Sequence, residues 1–137
     1  MRSIILSTSA KPLFWCAIVL SLWILLRGHN APGGGFIGGL IAAVGLIVLA
    51  LAAGPAAARR TMRLPPVTLA GIGLLAAVAS SVPGMLTDAP LLTHLWTRLD
   101  IGIALMDIGT TLLFDVGVYL VVIGMATGVT LPFLEET

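Results

Sequence analysis

Charge is what this chain has least of. Lysine and arginine number seven and aspartate and glutamate six in 137 residues. At 9% charged, it lies far below the roughly 25% of a soluble domain. The net charge is +1 and no basic tract occurs, so nothing supports contact with nucleic acid. One cysteine, Cys16, excludes an intrachain disulfide; it sits in an apolar run and reads as a small buried hydrophobe. No group of Cys, His and carboxylates has metal-ligand spacing, and no nucleophile is paired with a base. Neither a metal site, a cofactor nor an enzyme is therefore expected.

Apolar length takes the place of charge. The chain is 58% hydrophobic with a mean hydropathy of +1.12, more apolar surface than a soluble domain of this size can hide. Its solvent must be lipid. Four stretches approach the roughly 20 residues that cross a bilayer. They are residues 12–26, 36–53, 66–82 and 110–131. The first is short unless Ile4 to Leu6 extend it, with Lys11 snorkelling towards the headgroups. The last is stopped by Pro132 and the acidic Glu135 and Glu136. No small-residue cleavage site follows the first stretch, so it reads as retained. The predicted fold is all-α: residues 1–137 form one membrane domain of four transmembrane helices. Arg2, Lys11, Arg59, Arg60 and Arg63 fall on one side, and Arg27 and Arg98 on the other. That bias predicts an N-in, C-in orientation with a glycine-rich loop outside, between the first two helices.

That loop is the least ordinary part of the chain. Arg27 to Gly39 holds six of the sixteen glycines, where a membrane hairpin needs only a short polar turn. Gly28, Gly33, Gly34 and Gly35 surround Asn30 and Pro32, with Phe36 following. Glycine frees the backbone and lets other chains come close. No strand precedes the segment and no Lys-Ser/Thr follows it, so a phosphate loop is excluded. Further small residues lie within the spans. Gly38, Ala42 and Gly45 share one face of the second, flanked by Gly39, and Gly117, Gly124 and Gly128 recur in the fourth. Helices in lipid associate through small residues, and these faces are expected to dock onto other proteins.

Few groups can carry chemistry. Asp115 is the one ionisable side chain well inside a predicted span, and Thr111 and Tyr119 stand four residues to either side of it. The stripe reads either as a proton or cation contact or as a hydrogen-bonded packing anchor. His29 could exchange protons near neutral pH, or fix the turn beside Asn30 and Pro32. His94 reads as a neighbour of Trp96 at the interface, and Asp88, Asp100 and Asp107 as solvated loop residues.

The string Leu26-Arg27-Gly28-His29-Asn30-Ala31-Pro32-Gly33-Gly34-Gly35-Phe36, with Gly38-Gly39, resembles the signature of the B subunit of the Mrp (Mnh) multi-subunit cation/proton antiporters. The likeness continues at Leu92-Thr93-His94 and at Leu113 to Val122. The resemblance implies a small accessory and assembly subunit of a six- or seven-protein complex in a bacterial plasma membrane. That complex exchanges Na+ for H+ using the proton motive force. Its large subunits resemble those of respiratory complex I and carry the intramembrane lysines and glutamates. The implied partners are these large subunits, the other small subunits and lipid. On this resemblance Asp115 or His29 borders an ion route. The contrasting reading is an autonomous four-helix exporter acting as a homodimer. Such a device wants its carboxylate deep in the bundle, whereas Asp115 lies only about five residues into its span.

Overall fold

The computed structural model describes residues 4–27, 34–82, 96–100 and 105–136. Four helices among them are long and apolar enough to cross a membrane. Helix α1 spans Ile4–Arg27 and helix α2 spans Gly34–Ala53. A short α3 covers Pro55–Met62 and α4 covers Pro66–Ala79. Helix α5 spans Thr110–Glu135.

Helix α1 begins eight residues before its predicted start, with Pro12 inside it. Proline there removes one backbone hydrogen bond, to the carbonyl of Thr8, and a membrane helix tolerates this locally. Ser7 and Thr8 hydroxyls both donate to the carbonyl of Ile4, at 2.9 Å each. Helix α5 likewise passes through Pro132, where the sequence predicts a stop at Leu131. Tertiary contacts hold its last turn. Leu131 is fully buried against Ala50 and Ala58, with Leu134 packed alongside. Arg59 closes the end on Glu135 through two hydrogen bonds of 2.5 and 3.1 Å.

The predicted third span becomes two pieces. Gly54 takes φ +97°, open mainly to glycine, and turns the chain out of α2. Arg63 caps α3 in the left-handed region, its N–H donating to the carbonyl of Arg59. Helix α4 then ends at Ala79, three residues short of expectation, with Ser80 as its C-cap. Fourteen residues make about 21 Å of helix, so only α3 and α4 together, Pro55–Ala79, reach membrane length. Between α4 and α5, where the sequence predicts a loop, strands β1 (Trp96–Asp100) and β2 (Leu105–Gly109) pair antiparallel, with Arg98 opposite Asp107.

The helices stand in a row. Helix α2 packs between α1 and α5, and α4 packs on the far side of α5. Gly38 of α2 meets Ser21 of α1 while Gly45 meets Ala17, so α1 and α2 run antiparallel. Gly35 meets Asp115 and Gly39 meets Tyr119, so α2 and α5 run parallel. The start of α1 and the end of α5 therefore lie on the same side of the row. The main core sits where α1, α2 and α5 converge, around Phe14, Leu25, Leu46, Leu49, Tyr119 and Ile123.

Candidate functional site: the glycine seam at the start of helix α2

Helix α2 opens on four glycines in six residues, and all four are buried. A methyl group added to Gly35 would run into the backbone carbonyl of Asp115. One on Gly39 would lie 2.9 Å from both the Tyr119 carbonyl and the Val122 side chain. On the α1 side, one on Gly38 would come within 2.8 Å of the Ser21 carbonyl. These glycines let three backbones converge, because in lipid close packing replaces the hydrophobic drive.

Two polar side chains cross this seam. The Asp115 carboxylate lies against Gly34, where a methyl group would be 3.4 Å from Oδ1. Gly34 adopts φ +54° and is the first residue of α2. An anion at this point meets the positive end of the helix dipole and its free N–H groups. One turn further, Tyr119 Oη and Ser21 Oγ are 2.9 Å apart in the buried interior. Ser21 already donates to the Ile18 carbonyl at 2.8 Å. A hydroxyl has one proton, so Tyr119 is the donor of the bond between them. The Thr111 hydroxyl is buried and finds no hydrogen-bond partner among the described residues.

Of the sequence-predicted stripe, Asp115 and Tyr119 lie against the glycines of α2, with Thr111 in the first turn of the same helix. The small-residue faces serve within the chain, in contrast to the expected docking onto other proteins. Gly38, Ala42 and Gly45 are buried, and Gly38 and Gly45 point at α1. Gly117 and Gly124 point at α4, against Gly73, Ala77, Pro66 and Ala70, and Gly128 reaches Pro66 more loosely at 3.3 Å. The physical reason is internal: a thin row of helices needs these notches to hold itself together. Cys16 is exposed on α1, not buried as expected. Gly28, His29, Asn30, Pro32, Gly33, Asp88 and His94 lie outside the described residues, and so do the side chains of Asp100 and Asp107. Ser21 and Gly73 were not singled out from sequence. Both left a signal: Ser21 is a lone hydroxyl deep in an apolar run, and Gly73 pairs with Ala77 four residues on.

Comparison with known proteins decides what this seam belongs to. The profile of the family described as "Domain related to MnhB subunit of Na+/H+ antiporter" matches residues 5–128. The chain belongs to the MnhB family. Among MnhB relatives, the Na(+)/H(+) antiporter B subunit of Bacillus subtilis is 37% identical over 98% of this chain and 95% of its own length. The probable K(+)/H(+) antiporter A/B subunit of Rhizobium meliloti is 32% identical over 87% of this chain, which spans only 12% of that longer protein. A solved structure of the Mrp complex from Dietzia sp. contains a chain that superposes with a TM-score of 0.75 at 37% identity. It covers 91% of the present chain, which in turn spans 13% of that polypeptide. The MnhB architecture accordingly occurs both in a separate small protein and as a module within a much longer chain.

Proposed function

We propose that this chain is the accessory and assembly subunit of an Mrp-type Na+/H+ antiporter of a bacterial plasma membrane, oriented N-in and C-in as a single four-helix domain. The observation that carries the reading is the make-up of the row. Apart from Asp115, the one carboxylate among the described residues of the four spans is Glu135 at the end of α5, and the cations are Lys11, the eighth residue of α1, Arg27 at its end, and Arg59, Arg60 and Arg63 in and just after α3. A proton-coupled carrier that worked alone would need an ionisable group reachable from both sides at mid-membrane. Here the single inner carboxylate sits beside the first residues of α2. Relatives named as subunits of antiporters support the same reading, and the autonomous homodimer has no support among them.

In this reading Asp115, with Tyr119 and Ser21, anchors the start of α2 and so presents the glycine-rich loop and the exposed ring of Phe36 to a larger protein of the complex. Arg27 ends α1 at the same level. Na+ and H+ are the ions of the whole complex, and the route belongs to the partners. The decisive experiment is reconstitution. The isolated chain in liposomes should exchange no cation for protons, while deleting it should abolish exchange by the remaining subunits. Exchange by the chain alone would overturn the proposal. An Asp115→Asn substitution should lower recovery of the complex and leave exchange per assembled complex intact. Full assembly with lost exchange would instead put Asp115 on an ion route.

A further inference from the structure

The side of α1 that faces away from α5 carries a feature that the assembly role does not use. Trp15, Cys16, Val19, Leu20 and Trp23 line an open hollow of about 480 Å³ made only of apolar side chains. A second hollow shares Cys16 and Leu20 and continues towards Val44 of α2. At one end of the face, the Arg27 guanidinium lies 5.0 Å from the centre of the Trp23 ring. No carboxylate pairs with Arg27 among the described residues.

We propose that this face binds an anionic phospholipid, with an acyl chain along Trp15 to Trp23 and the phosphate on Arg27. Three observations favour lipid over a partner's helix. First, the closest helix-on-helix approaches in the chain are at small residues, as at Gly38, Gly45, Gly73 and Gly117. The α1 face offers two tryptophans, a valine and a leucine, which hold a second helix backbone away. A flexible acyl chain fills such an irregular hollow, and a rigid helix does not. Second, tryptophan and arginine one turn apart at a helix end are placed at headgroup level, where the ring sits in the interface and the cation reaches the phosphate. Third, Arg27 is a cation at a helix end with no acidic partner among the described residues, so a headgroup of net negative charge balances it where a zwitterionic one does not. The inference rests only on α1 being a membrane span, not on the transport role.

A diazirine-bearing side chain placed at Val19 in the assembled complex, irradiated in native membranes, tests it. The main adduct should be phospholipid, with anionic species enriched several-fold over their share of the membrane. Arg27→Gln should return the adducts to bulk proportions, and Arg27→Lys should keep the enrichment. Should Arg27→Gln prevent assembly, the unchanged Arg27 complex can be placed in phosphatidylcholine vesicles of rising phosphatidylglycerol content. The anionic adduct should then saturate early. An adduct to another protein of the complex, or lipid adducts that simply follow bulk composition, would overturn the proposal.

Discussion

At the residue scale, the seam is held by contacts with no slack. The methyl group of Gly35→Ala would meet the Asp115 carbonyl, a backbone atom that cannot rotate away. The helices would have to part, a cost of about 1–3 kcal/mol, seen as a lower unfolding temperature in detergent. Ser21 and Tyr119 give a ranked pair. Tyr119→Phe removes one hydrogen bond and leaves Ser21 still donating to Ile18, so it should cost about 0.5–1.5 kcal/mol. Ser21→Ala strands the buried phenol without an acceptor and should cost more, about 1–3 kcal/mol. The double substitution should then be no worse than Ser21→Ala alone. Additive costs in the double would show that the two hydroxyls do not depend on each other.

At the element scale, two glycines two residues apart in α4 separate packing from propensity. Gly73 is buried against the Gly117 carbonyl, at 2.5 Å from a notional methyl group, whereas one on Gly71 meets nothing within 4 Å. Gly73→Ala should therefore loosen the α4–α5 seam and lower thermal stability. Gly71→Ala should be neutral or stabilising, since alanine is favoured over glycine in a helix by about 1 kcal/mol. A thermal scan of both variants, in which Gly71→Ala proved the more damaging, would place α4 the wrong way round. The Arg59–Glu135 pair belongs to this scale too. Both side chains are exposed to solvent over about two-fifths of their surface, so the bridge contributes little by itself, and burial of Leu131 does more to hold the end of α5.

For the whole molecule, the row order α1–α2–α5–α4 makes a prediction about distance. In a Cys16→Ser background, cysteine pairs at non-glycine positions across the α1–α2 seam and across the α4–α5 seam should cross-link, because these helices pack directly on each other. Cysteines on α1 and α4 should not, since two helices stand between them. Efficient α1–α4 cross-linking would mean a closed bundle. A row exposes two broad apolar sides, and Val67, Leu75 and Phe133 among others are more than 70% exposed. Lipid and larger proteins can cover them, which agrees with an architecture found either on its own or within a longer chain.

The amino-acid pattern by itself determined the solvent, the four membrane-length segments, the family signature and the one inner carboxylate, because each depends on composition or on a run of neighbours. It also placed Thr111, Asp115 and Tyr119 on one face, since helical period alone does that. The tertiary structure alone decided which way every face points. In water, polarity marks the outside of a helix; in lipid both sides are apolar and the mark is erased. Hence the glycines of α2 and α5 could be read as contact faces but not assigned to their true neighbours. Hence also Ser21 as the partner of Tyr119, Cys16 on the outer side of α1, and the passage of α1 and α5 through Pro12 and Pro132 emerged only when the helices were packed together.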